Sequence, residues 1–122
     1  MKRGEIYWAA LAPRSGSEQQ GRRPVIIVSH DGFNLLARWN TVIIVPTSTA
    51  KAQAKRGLTG VLLPVGEGGL VKESVVLCHQ VTTLDRSKLA QKIGELSEVW
   101  LAKVDEGLKA ALGLSHPGRV TE

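Results

Sequence analysis

The sequence predicts a small α+β fold, mainly β: a barrel of five or more short strands followed by one C-terminal α-helix. Three observations carry this. Apolar, β-branched runs recur, notably Val25-Ile26-Ile27-Val28 and Val42-Ile43-Ile44-Val45. Polar stretches bearing glycine or proline separate them. Helical periodicity takes over only near the C-terminus. At 122 residues and 13.1 kDa the chain is the length of one domain. Residues 1–114 are expected to form that domain and residues 115–122 a flexible tail.

The elements follow in order. Glu5-Ile6-Tyr7-Trp8-Ala9 alternates and is rich in strand formers. Residues 13–21 hold glycine, serine and proline and read as a loop. Val25 to Ser29 is a continuous apolar run, suited to a strand buried on both faces. Pro24 is expected at that strand's start or edge, because it has no ladder donor. Asp31 to Asn40 allows a short helical turn carrying Phe33, Leu35, Leu36 and Trp39. Thr41 to Val45 is a third strand, expected to close at Pro46. Residues 47–57 are polar and basic and read as a long mobile loop. Gly60 to Pro64 is a fourth strand, Gly66 to Gly69 a turn, and Ser74 to Leu84 one long fifth strand. Asp85 is expected to cap a helical turn over 85–89.

The last element is a helix over 98–112. Ser97 is its N-cap, and Leu96 with Leu101 fit a hydrophobic staple. Trp100, Val104, Leu108, Ala111 and Leu112 share one face, and Gly113 ends the helix. Trp100 is therefore assigned to the core.

Composition narrows the function. Hydrophobic residues make up 43% and charged residues 22%, which fits neither a disordered chain nor a membrane protein. No apolar run approaches the ~18 residues of a membrane span, and no secretory signal follows Met1. A single cysteine, Cys78, builds neither an internal disulfide nor a cysteine-rich metal site. The expected setting is a reducing cytoplasm. His30, His79 and His116 are far apart in sequence and lack metal spacing, so no metal is expected. His30 and His79 read as strand residues and His116 as a solvated tail residue. No P-loop is present, and no cofactor is expected.

The net charge is +5 and the pI near 9.7. Residues 1–61 hold nine basic and three acidic side chains, a balance of +6; residues 62–122 hold seven and eight, a balance of −1. A polyanion such as nucleic acid is the natural partner of the first half. Arg22 and Arg23 precede a rigid proline, where a guanidinium fork is anchored and can grip phosphate. Thr47, Ser48 and Thr49 follow Pro46 with three hydroxyls that suit an anion's oxygens. An ordinary Ser/Thr turn has the same composition; Arg23 nearby favours the anion site.

Such equipment suits cleavage of RNA by its own 2′-OH. The nucleophile is in the substrate, so the protein orients it and stabilises developing charge. Neither arginine nor a hydroxyl titrates near neutral pH, so proton transfer calls for further groups.

The strings Arg3-Gly4-Glu5-Ile6-Tyr7-Trp8, Gly16-Ser17-Glu18-Gln19 and Gly21-Arg22-Arg23-Pro24-Val25 resemble the MazF/PemK family of toxin endoribonucleases. The resemblance continues in Thr41 to Pro46, in Ser74-Val75 and Gln80, and in Leu112-Gly113-Leu114. It covers about residues 3 to 114. It implies an SH3-like antiparallel β barrel with a C-terminal helix, as a homodimer. It implies metal-independent, sequence-specific cleavage of single-stranded RNA, leaving a 2′,3′-cyclic phosphate and a 5′-OH. It also implies a MazE-like antitoxin whose acidic segment inhibits the toxin, with DNA bound only through the antitoxin and no role for a membrane. Carried over by position, the catalytic arginine is Arg23, the catalytic hydroxyl Ser48, with Thr49 as its alternate, and the loop glutamate Glu18. Arg14, Ser17, Gln19, Arg22, Lys51, Lys55, Arg56 and Gln80 are the expected RNA-binding residues. Trp8 and Trp39 are candidates to anchor the antitoxin's apolar side chains.

Two departures stand out. The family order after the proline is any residue, threonine, serine, whereas here it is Thr47, Ser48, Thr49. His79 replaces an acidic or amide residue before Gln80. Two other readings share the fold: a gyrase-poisoning toxin, and a non-catalytic SH3-like nucleic-acid-binding module. The first needs no arginine before proline; the second predicts binding without RNA fragments.

Overall fold

A computed structural model describes residues 1–11, 21–49 and 57–114. Seven strands and two helices run in the order β1 (Glu5–Leu11), β2 (Gly21–Ile27), α1 (Asp31–Asn34), β3 (Thr41–Ser48), β4 (Gly60–Leu63), β5 (Ser74–Leu77), β6 (Thr82–Asp85), β7 (Leu89–Glu95) and α2 (Glu98–Leu112). The pairings are antiparallel. The sheet order is β4-β5-β3-β2-β1-β7, with β6 also paired to β3. The architecture is the expected mainly β fold with a C-terminal helix. It is barrel-like, although no ladder among the described residues joins β4 to β7.

The continuous apolar run of β2 has a partner on each face. Ile6, Ile26, Val28, Val45, Val76, Cys78 and Val104 form one core, under α2. Ala9, Leu11, Val25, Ile27, Val42, Ile44 and Leu84 form a second core on the opposite pleats. Val25, Ile26 and Ile27 are fully buried, as a strand covered on both sides requires.

Helix α2 has the bounds read from the sequence. Leu96 is buried and Leu101 packs on the core, completing the staple. Trp100 also packs there. The Ser97 side chain makes no capping bond; the Glu67 carboxylate accepts from the Ser97 amide at 2.9 Å instead. Gly113 takes φ 72°, the left-handed geometry of a helix end.

The structure corrects four strand-level expectations and, for Pro24, bears out the edge rather than the start. β3 does not close at Pro46 but continues to Ser48. Its partner changes there: β6 pairs as far as Ile44 and β5 begins at Thr47, so the missing proline donor falls between ladders. Pro24 is not at the start of β2 but four residues in. It pairs with Trp8 on β1, while pairing with β3 begins only at Val25, so the strand has an open edge there. The long fifth strand breaks into β5 and β6 around a 3-10 turn, Cys78–Gln80. Cys78 is buried beneath α2, where a Cβ on Gly107 would come within 2.7 Å of its sulfur. Across this turn the chain passes from β5, paired with Thr47 and Ser48 of β3, to β6, paired with Thr41 to Ile44. His79 is accordingly exposed on a turn rather than on a strand. His30 caps α1, its Nδ1 accepting from the Gly32 amide at 2.8 Å. The 85–89 turn forms as expected, with the Asp85 carboxylate accepting from the Ser87 amide.

β7 was not visible in the sequence. It pairs with β1 and anchors the buried Glu5 carboxylate, which is 6% exposed. Glu5 accepts from Lys92 Nζ at 2.7 Å, the Lys2 amide at 2.8 Å and the Tyr7 hydroxyl at 3.0 Å. Burial pushes this carboxyl up, but these donors outweigh it and hold it below the usual glutamate value. No helix among the described residues is long and apolar enough to cross a membrane.

Candidate nucleic-acid interface

The ladder between β2 and β3 brings the candidate residues together. Val25 lies opposite Pro46, Ile26 opposite Val45 and Ile27 opposite Ile44. The ladder ends at the Val25–Pro46 pair, so Arg22 and Arg23 precede it on β2, while Thr47, Ser48 and Thr49 follow it on β3. The Thr47 hydroxyl donates to the Pro24 carbonyl at 2.8 Å, tying the two strand ends together at this point. Opposite residues share a face, and successive ones alternate. Arg22 and Arg23 therefore point to opposite faces of β2, and Thr47 and Ser48 to opposite faces of β3.

Burial does not alternate at this end of β3, where Pro46, Thr47 and Ser48 are all buried. Ser48 is 4% exposed and held opposite Val75 of β5, whereas Thr49 is exposed. Arg23 is half-buried and Arg22 exposed. A half-buried guanidinium on β2 and hydroxyls at the end of β3 are donors of the kind that an anion's oxygens accept from.

A groove of about 340 Å³ opens beside these strand ends. Trp8, Arg22, Arg23 and Pro24 line it from β1 and β2, and Thr49 from the end of β3. The far wall comes from the β4–β5 hairpin, with Leu70, Lys72 and Ser74, and from Ile93 of β7. Gly69 allows that wall to close. It adopts φ 85°, and a Cβ there would lie 2.8 Å from the Ile93 carbonyl oxygen. The floor is apolar and the rim carries three cations, Arg22, Arg23 and Lys72.

Lys72 was missed by sequence reasoning. It follows a glycine turn some fifty positions after Arg22, and only the β4–β5 hairpin returns it to the groove. Trp8 was read as a peptide anchor; it is half-buried, with the Arg22 guanidinium 4.6 Å above its ring. Trp39 lies elsewhere, against Phe33 with 4.9 Å between ring centroids. Gln80 is half-buried in the Cys78–Gln80 turn. Arg14, Ser17, Glu18, Gln19, Lys51, Lys55 and Arg56 lie outside the described residues. Among the described residues no three His, Cys, Asp or Glu side chains gather into a metal-binding group.

The chain is thus a small β protein with a groove lined by cations, a strand-end hydroxyl and apolar side chains, a candidate site for a phosphodiester backbone. Over residues 2–112 the chain matches the family of the PemK-like, MazF-like toxin of type II toxin–antitoxin system, and it belongs to that family. It is 38% identical over 114 residues to the endoribonuclease EndoA of Bacillus subtilis (strain 168), covering 93% of this chain and 96% of the relative. Its fold matches the crystal structure of MazF from Deinococcus radiodurans with a TM-score of 0.75 and 30% identity, covering 93% and 96% of the two chains. A MazE–MazF crystal structure from Deinococcus radiodurans matches with a TM-score of 0.71 and 30% identity, covering 94% and 97%.

Proposed function

We propose that this chain is the toxin of a type II toxin–antitoxin system and a sequence-specific, metal-independent endoribonuclease acting on single-stranded RNA, messenger RNA included. The observation that supports the reading is a groove lined by Arg22, Arg23, Thr49 and Lys72 in a chain of this family.

In the reaction the 2′-oxygen of one nucleotide bonds to the adjoining phosphorus, and the bond from phosphorus to the 5′-oxygen breaks. A proton leaves the 2′-OH and one is delivered to the departing 5′-oxygen. The products are a 2′,3′-cyclic phosphate and a 5′-OH. The Arg23 fork binds the non-bridging oxygens, where negative charge grows. The Ser48 hydroxyl, or that of its alternate Thr49, donates to the same oxygens. Both groups are fixed before substrate arrives, so little reorganisation accompanies the step. Glu18 belongs to the loop that shapes the RNA groove. Arg14, Ser17, Gln19, Arg22, Lys51, Lys55, Arg56 and Gln80 contact RNA around it.

A homodimer would set two such sites on one assembly. A MazE-like antitoxin would lay an acidic segment across the same basic surface, ordering as it binds and blocking RNA. DNA would be engaged only through that antitoxin, and the setting would be the cytoplasm. The test is incubation with total RNA in EDTA. Discrete fragments whose 5′ ends accept a kinase label without phosphatase treatment are expected. RNA left intact, or 5′-phosphate ends, would overturn the reading.

A further inference from the structure

Trp8 has no role in the reaction just described, yet it lines the groove. Across the β1–β2 ladder Trp8 lies opposite Pro24 and Ala10 opposite Arg22. Trp8 and Arg22 are therefore diagonal neighbours on one face, within reach of long side chains. The guanidinium carbon sits 4.6 Å from the indole centroid. Arg22 is exposed, while Trp8 is half-buried and held by the strand. An exposed arginine on an open strand samples many rotamers, and ordering it on a ligand costs affinity. Stacking on a fixed indole removes part of that freedom in advance.

We infer that Trp8 is a positioning residue for the RNA backbone, which acts by holding Arg22 flat. A guanidinium stacked by one face keeps its N–H groups in the plane, directed from its edge. That edge takes a phosphate other than the one at Arg23, because the two arginines leave β2 on opposite pleats. Lys72 on the facing wall offers a third positive charge to the same strand. The inference rests on the reading of the groove as an RNA site.

The test uses the full chain and a fully 2′-O-methylated single-stranded RNA, which binds but has no free 2′-OH to react. Trp8→Leu should weaken binding about two- to fivefold, the worth of an exposed cation–π contact. In the Arg22→Ala background the same change should cost almost nothing, because the partner is gone. Arg22→Ala should lower the slope of log K against log salt by about 0.7. Trp8→Phe should recover most of the loss, since its ring still supports the guanidinium; it also serves if the leucine variant fails to fold. Equal losses from Trp8→Leu in both backgrounds, or no rescue by phenylalanine, would overturn the inference. Cleavage of unmodified RNA by the unaltered protein is measured alongside. Coupling without cleavage would fault the nuclease reading alone, and cleavage without coupling would fault the role of Trp8 alone.

Discussion

Removing the Ser48 hydroxyl should separate chemistry from stability. In the proposed reading Ser48 is the hydroxyl that donates to the reacting phosphate, with Thr49 as its alternate. Loss of one preorganised donor to a developing oxyanion typically lowers the rate about 10²–10³-fold. Ser48→Ala should therefore reduce kcat/KM on a short cleavable RNA by about that factor. Thr49→Ala should reduce it less than about fivefold, chiefly through binding. Ser48 is 4% exposed, and alanine fills nearly the same space. One neutral hydrogen bond contributes about 1 kcal/mol, so the melting temperature should fall by roughly 3–5 °C in a chain of this size. Ser48→Thr keeps the hydroxyl and should stay active. The assay is single-turnover cleavage beside a thermal melt. Full activity in Ser48→Ala with collapse in Thr49→Ala would refute the assignment to Ser48.

Affinity for a non-cleavable RNA should fall with salt, with a slope of log K against log salt of roughly −2 to −3.5 for three to five phosphate contacts; a flat dependence would remove the cationic rim from binding. Acidification should destabilise the fold through Glu5. Its folded carboxyl is held below the usual value, so its contribution is present above pH ~4.5 and is lost as pH falls through the folded value. Urea midpoints should drop over that interval, and Glu5→Gln should flatten the drop. An acidic antitoxin segment and RNA should compete for the groove, so a saturated antitoxin complex should lose cleavage; a complex that cuts at the free rate would show separate sites.

Much of this organisation was legible because local and tertiary signals agree. Val25-Ile26-Ile27 is apolar on both pleats and has a core on each side. Helix α2 carries its staple, its apolar face and its terminal glycine in the sequence, and its bounds follow. Elsewhere tertiary contacts decide. Leu89-Ala90-Gln91-Lys92-Ile93-Gly94-Glu95 has little strand propensity and becomes β7 through pairing with β1 and the Lys92–Glu5 contact. The chain from Ser74 to Leu84 has strong strand propensity throughout, yet breaks at Cys78–Gln80 where α2 presses on Cys78. At the site, Arg23, Ser48 and Thr49 were identifiable as types of group, but which hydroxyl faces which arginine depends on a ladder register. Lys72 carried no local signal, because the hairpin alone returns it to the groove.

The central claim is that Arg23 stabilises charge on the reacting phosphate. Its most direct measurement is the single-turnover cleavage rate of Arg23→Ala and Arg23→Lys in EDTA, beside a thermal melt of each. The account predicts folded proteins whose rate falls about 10²–10³-fold for alanine, and nearly as far for lysine, since a point charge cannot replace the bidentate fork. A folded Arg23→Ala protein that cleaves RNA at the unaltered rate would contradict it.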